Sequence, residues 1–221
     1  MEPFRVALPL KELIDIYPTP EEVLSAARTG GEQARVALAR LWLSEGIPCA
    51  FRECPAVYES IRSWLSNWIN VHPKEIGLSG SARLGCSLSP NKLGKPFGIN
   101  SDLDLFVISS SLFERLRDEF LRWSFDFESG KVTASNEREA TFWRDNNERG
   151  PKLIQRGFID QEMIPNKQNY QLAKKISQAM WLLVEKLKLT SKAPHPKHAS
   201  VRCYTSWDSF VRQMSKNLEQ S

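Results

Sequence analysis

The amino-acid sequence predicts an α+β fold, and three observations carry the prediction. Apolar residues recur at helical spacing through residues 1–70 and again through 166–221. Between them, Ile76-Gly77-Leu78-Ser79-Gly80-Ser81 and Leu103-Asp104-Leu105-Phe106-Val107-Ile108 read as strands, the second by its β-branched and aromatic content. The two patterns are segregated along the chain, which separates α+β from a doubly wound α/β arrangement. The expected organisation is an N-terminal helical segment, 1–70, packed on a core, 71–165, followed by a basic helical segment, 166–221. At 221 residues, 41% apolar and with 7 Trp and 11 Phe, the chain has ample apolar surface for a core, which excludes disorder throughout.

The elements follow in order. Pro18-Thr19-Pro20-Glu21-Glu22 looks like a helix start, with Thr19 as N-cap and Pro20 in the first turn, broken at Gly30-Gly31. A second helix spans 32–45. Pro55 opens a third, with Val57, Tyr58, Ile61, Trp64, Leu65, Trp68 and Ile69 on one face; the aromatic stripe Tyr58–Trp64–Trp68 reads as core packing. A Gly/Pro/Asn-rich loop runs from Ser87 to Asn100. Ser111 and Glu114 stand at capping-box spacing before a helix whose apolar face is Leu112, Leu116, Phe120 and Trp123. Phe125-Asp126-Phe127, the Ser-Gly pair at 129–130 and Lys131-Val132-Thr133 suggest a hairpin. A polar helix from Asn136 to about Asn147, the short run Gly157-Phe158-Ile159-Asp160, an amphipathic helix over 171–188, a loop over 192–199 and a last helix carrying Trp207, Phe210, Val211, Met214 and Leu218 complete the chain.

Composition narrows the function classes. The net charge of +4 hides an asymmetry: residues 166–221 carry 10 Lys/Arg against 3 Asp/Glu, whereas the first 165 carry 20 against 23. A basic segment on a near-neutral body suits a polyanionic partner, and equally a solvated helix face. Four Cys and three His are too thinly spread for a zinc site and read as free thiols. No apolar run reaches the roughly 18–20 residues of a membrane span. Met1-Glu2-Pro3-Phe4-Arg5 is not followed by a signal-peptide pattern, so a cytoplasmic protein is expected.

The chemistry is concentrated between Gly80 and Ser109. Asp102 and Asp104 flank one residue at the start of a strand, so their carboxylates point to the same side and repel unless a cation sits between them. Hard oxygen ligands on a rigid strand suit Mg²⁺ or Mn²⁺ shared with substrate phosphates. Upstream, Gly80 lets a phosphate approach the backbone, Ser81 offers a hydroxyl and an N–H, and Arg83 is within reach of a phosphate oxygen. These pieces describe a nucleoside triphosphate held at its tail. No Walker A lysine pattern occurs.

Gly80-Ser81 followed by Ser101-Asp102-Leu103-Asp104-Leu105 resembles the signature of the DNA polymerase β-like nucleotidyltransferase superfamily, a Gly-Ser turn and then two aspartates alternating with hydrophobic residues. The resemblance covers about 30 residues and implies a polymerase β-like core, a small mixed sheet with flanking helices. It also implies that Asp102 and Asp104 bind Mg²⁺ while Gly80 and Ser81 hold the triphosphate of an NTP or dNTP. The 20 residues between Ser81 and Asp102 are more than the common spacing, which predicts a projecting loop whose Lys92 and Lys95 contact substrate or keep the loop soluble.

In that superfamily a third acidic residue on a neighbouring strand completes the metal site and helps activate the acceptor hydroxyl. Asp160, 56 residues after Asp104, is preferred; Asp126, 22 after it, is the alternative. Lys174 and Lys175, at the start of the following helix, are candidates to face the β- and γ-phosphates. The implied activity is transfer of a nucleoside monophosphate to a hydroxyl acceptor with release of pyrophosphate. The acceptor is an oligonucleotide, a tRNA end, a protein or a small molecule. The arrangement is similar to compact bacterial nucleotidyltransferases of antiphage systems, which make nucleotide signals or modify a partner effector protein. The alternative is a catalytically silent, antitoxin-like protein that binds nucleotide or nucleic acid.

Overall fold

The computed structural model describes residues 6–220; Met1–Arg5, on which part of the leader argument rests, lie outside them. In chain order the elements are α1 (Leu8–Lys11), α2 (Pro20–Thr29), α3 (Gly31–Arg40), α4 (Pro55–Ile69), β1 (Ile76–Leu78), α5 (Gly80–Leu84), β2 (Asp102–Ile108), α6 (Ser110–Glu128), α7 (Glu137–Gln155), β3 (Phe158–Asp160), α8 (Gln171–Lys188), β4 (His198–Tyr204) and α9 (Trp207–Gln220). The fold is α+β, helices around one small mixed sheet. None of the described helices is long and apolar enough to cross a membrane.

The sheet has the order β1-β2-β4-β3. β1 is antiparallel to β2, β2 is parallel to β4 over seven residue pairs from Asp102↔His198 to Ile108↔Tyr204, and β3 is antiparallel to β4. Because side chains alternate along a strand, the sheet divides the interior in two. Leu103, Leu105, Val107, Val201, Cys203 and Ile159 enter one core with α4, α6, α7 and α8. Phe106, Ile108, Tyr204 and Phe158 enter the other, beneath α2, α3 and α9. On this second face the opposite end of the sheet carries polar side chains: Asp102, Asp104, His198, Ser200, Arg202 and Asp160.

Local chemistry explains most of the helices. Thr19 caps α2 in a capping box with Glu22, with Pro20 opening the helix. Tyr58 is buried in the first core and Trp64 and Trp68 pack half-buried against it. α8 has no side-chain cap of its own; the buried Glu119 of α6 accepts from the backbone N–H groups of Leu172 and Ala173 at 3.1 and 2.7 Å. A negative charge at the helix start offsets the unpaired amides there.

Several sequence expectations are corrected. β4 is absent from the sequence reading, which placed a loop up to residue 199. The boundary drawn at 165/166 falls between β3 and β4, strands hydrogen-bonded to each other. The hairpin over 125–133 does not form: α6 continues to Glu128, so Phe125, Asp126 and Phe127 are helical. Phe127 stacks on Trp123, which rewards continuing the helix into the core. The N-cap of α6 is Ser109, and Ser111 lies inside the helix with no capping bond made. α7 runs past Asn147 to Gln155, with Pro151 inside it. It crosses α6 at Gly150, where a Cβ would come within 2.1 Å of the Phe120 ring.

These placements separate two neighbouring aromatic residues. Trp123 is fully buried, whereas Phe125 is 60% exposed. In urea unfolding, Trp123→Ala should cost about 3–5 kcal/mol and Phe125→Ala less than about 1 kcal/mol. Equal costs would contradict the continuation of α6.

Candidate functional site

The polar end of the second sheet face is built from β2. Asp102 is exposed at the start of the strand and Asp104 is half-buried one turn of the pleat further in. Behind Asp104 lies the turn from β1 into α5. Ser79 donates its N–H to the Asp104 carbonyl at 2.9 Å and its hydroxyl to the same oxygen at 3.3 Å. Gly80 has φ +62°, and a Cβ there would lie 2.8 Å from Asp104 Oδ2. Glycine is required both for the backbone conformation and for the room the carboxylate occupies. In front, the Ser200 hydroxyl donates to Asp104 Oδ1 at 3.3 Å. Burial and, next, the charge of Asp102 push the Asp104 carboxyl above its ordinary value.

The pair opens into a cleft of about 640 Å³. Gly80, Ser81, Asp102 and Asp104 line its floor, Lys92 and Lys95 its loop side, and Leu43, Met214 and Leu218 an apolar wall. The loop is held by its own backbone: Cys86 bridges Pro96, the Ser87 N–H donates to the Lys95 carbonyl at 2.9 Å, and the Gly94 N–H returns to the Ser87 carbonyl at 2.9 Å. Both lysines thereby line the cleft from a structured, hairpin-like loop.

Four other candidates lie elsewhere than the sequence places them. Arg83 is buried, donates to the Ile47 carbonyl at 2.9 Å and stands over the Tyr17 ring, so it anchors the N-terminal segment and does not line the cleft. Burial lowers its pKa. Lys174 and Lys175 are on α8, which packs on the opposite face of the sheet; Lys174 bonds the Gln168 side chain. Asp126, at the end of α6, accepts from the Tyr170 hydroxyl at 3.2 Å, away from the pair.

Asp160 faces the same way as Asp104, but from β3, with β4 between them and not from the strand next to β2. Its two oxygens are taken by Arg202 at 2.7 and 3.0 Å. Burial works against the charge of Arg202, yet Asp160 outweighs it and raises the arginine pKa. On the adjacent strand, the residue directly across from Asp104 is Ser200, and the residue across from Asp102 is His198, whose Nε2 lies 3.3 Å from Glu162. Among the described residues no three His, Cys, Asp or Glu side chains come together in a group that could hold a metal ion.

The chain matches no protein-family model, no curated protein and no solved structure. Its site is therefore read from its own residues. The sequence reading missed Ser79, His198, Ser200 and Arg202. The last three share the period-two pattern His-Ala-Ser-Val-Arg-Cys-Tyr, which is the signal that identifies β4.

Two predictions follow from this geometry. A carboxyl whose pKa is raised by folding opposes folding once ionised: the penalty is absent below the unfolded value near 3.8 and grows as pH rises through the higher folded value. Asp104→Asn in metal-free buffer should raise the melting temperature at pH 7, and the gain should vanish as pH falls below 4. A gain that persists unchanged at low pH would show another cause. Gly80→Ala should cost about 1–2 kcal/mol for the left-handed backbone alone, read by urea titration, with a further cost from displacing Asp104.

Proposed function

We propose that this chain is a metal-dependent nucleotidyltransferase acting on an NTP or dNTP. The observation that carries the reading is the Asp102/Asp104 pair, projected from one strand into a cleft and backed by Gly80. The resemblance of Gly80-Ser81 and Asp102-Leu103-Asp104 to the polymerase β-like signature supports the same reading.

The donor set fits a hard divalent cation, because Mg²⁺ is usually held by one or two carboxylates plus substrate phosphates rather than by a closed protein cage. Asp102 and Asp104 would hold Mg²⁺ or Mn²⁺, which supplies neutralisation of triphosphate charge and polarisation of the reacting phosphoryl oxygen. Gly80 and Ser81 allow the phosphates close to the backbone. Lys92 and Lys95 add positive charge at the mouth, and the wall of Leu43, Met214 and Leu218 offers an apolar surface to the base. Ser200 holds Asp104 in place. In the reaction the acceptor hydroxyl oxygen forms a bond to the α-phosphorus, the bond to the bridging oxygen of the β-phosphate breaks, and pyrophosphate leaves with that electron pair. The hydroxyl proton passes to solvent; Asp160, the expected third carboxylate, has both oxygens on Arg202. An oligonucleotide signal or a modified partner protein in antiphage defence is the biological role the resemblance brings to this proposal.

One observation favours a second reading. Asp160 is neutralised by Arg202, which suits a silent protein that binds nucleotide without turning it over. Pyrophosphate release decides between the two. Each labelled NTP and dNTP is incubated with Mg²⁺ or Mn²⁺, and products are resolved by size and by protease sensitivity. At least one should be consumed, and Asp102→Asn and Asp104→Asn should each lower the rate by about a hundredfold or more while the fold is retained. Binding without turnover for every nucleotide would favour the silent protein, and undiminished turnover in either variant would remove the carboxylate pair from the mechanism.

A further inference from the structure

The sheet face that carries Asp104 does not end at Ser200. Beyond it lies a second cleft, of about 400 Å³, between the β3–β4 end of the sheet and α7. Ser200 lines this cleft and donates to Asp104, which lines the first, so the two clefts adjoin across that hydrogen bond. Three guanidinium groups line the second one: Arg149, Arg156 and Arg202.

Their partners leave a surplus of positive charge. Arg202 is taken by both oxygens of Asp160. The other carboxylate of the cleft, Glu162, is turned to His198 at 3.3 Å. Arg156 donates to the neutral Gln213 amide oxygen at 2.7 Å, and Arg149 Nε to the Asp145 carbonyl at 3.3 Å. Neither forms an ion pair with a carboxylate among the described residues. Arg156 and Arg202 also lie 5.5 and 5.1 Å from the centre of one ring, that of the buried Phe158. One buried aromatic ring is thus shared by two like charges, of which only Arg202 has a carboxylate partner. The fork of a guanidinium matches phosphate geometry, and a phosphate would offset the surplus. Phe142, 47% exposed, lines the same cleft and offers a ring on which a base can stack.

We infer that the second cleft is a phosphate-binding acceptor subsite. Its ligand is a nucleotide or the end of a single-stranded oligonucleotide, with a phosphate on Arg149 and Arg156 and a hydroxyl presented past Ser200 toward Asp104. The direction of the hydroxyl rests on the nucleotidyltransferase reading; the binding of phosphate does not.

The test is therefore made without catalysis. A fluorescein-labelled single-stranded hexathymidylate is titrated with the full chain in EDTA, with no NTP present, and binding is read by anisotropy at two salt concentrations. The wild type should bind, more weakly at higher salt. The double variant Arg149→Ala/Arg156→Ala should lose about tenfold or more in affinity, as expected for charged hydrogen bonds to phosphate. Lys175→Ala, an exposed charge removed from α8 on the far face of the sheet, should bind as the wild type does. Arg149 is exposed, so Arg149→Glu alone serves if the double variant unfolds, and it should lose affinity too. Competition by thymidine monophosphate assigns the subsite to a nucleotide; its failure to compete assigns it to a strand end. No binding by the wild type, or equal binding by the folded arginine variants, would overturn the subsite. Oligonucleotide binding that depends on the arginines, without pyrophosphate release from any nucleotide, would keep the subsite and overturn the enzyme. Transfer to a protein acceptor that is indifferent to both arginines would keep the enzyme and overturn the subsite.

Discussion

The parallel pairing of β2 with β4 is the constraint on which the rest of the molecule depends. Parallel neighbours cannot be joined by a tight turn. Residues 109–197 therefore form a long connection from the end of β2 to the start of β4, through α6, α7, the edge strand β3 and α8. The same pairing sets the register that puts His198 across from Asp102 and Ser200 across from Asp104. It also places β2 between β1 and β4: β4 pairs with the whole strand, β1 with Leu105–Val107, and the Ser79 N–H holds the Asp104 carbonyl, so Asp104 projects from a stiff support.

The sheet is covered unevenly, and the uncovered part becomes the site. One face is packed along its length by α4, α6 and α8. On the other, α2, α3 and α9 cover Phe106, Ile108, Tyr204 and Phe158 and leave the Asp102 end open. At that boundary Asp104 is close enough to the apolar layer for burial to oppose its charge, and Asp102 opposes it further. An unfavourable arrangement of this kind is common where a ligand is to relieve it. Gly80 makes it possible, since any side chain there would meet the carboxylate.

Charge on this face is arranged in two regions. Lys92 and Lys95 line the cleft of the carboxylate pair from its loop side, while Arg149, Arg156 and Arg202 line the cleft beyond Ser200. The arginines come from α7, from the residue that follows it and from β4, and Phe158 of β3 holds two of them. The basic excess of residues 166–221 contributes only Arg202 to this group. Lys174 lies on the far side of the sheet, and Lys186 and Lys188 meet Trp64 and Glu185. The composition of a segment does not reveal which face its charges occupy.

The sequence by itself determined the elements whose signals are local. Thr19 with Glu22, the apolar stripe of α4, the β-branched run of β2 and the spacing of Asp102 and Asp104 depend only on neighbours within a few residues, and each is legible without the fold. The carboxylate pair and Gly80 belong to this group, because one strand and one turn create them. What tertiary structure decided is everything that needs a partner far along the chain. Phe125–Phe127 alternates as a hairpin would, yet contact with Trp123 and Trp143 keeps it helical. Asp160 and Asp126 could not be placed, because their positions depend on which strands become neighbours. β4 occupies the place beside β2, so the residue facing Asp104 is a serine and Asp160 meets an arginine. Strand order is set by how the helices between the strands pack, and that information is spread over the whole chain.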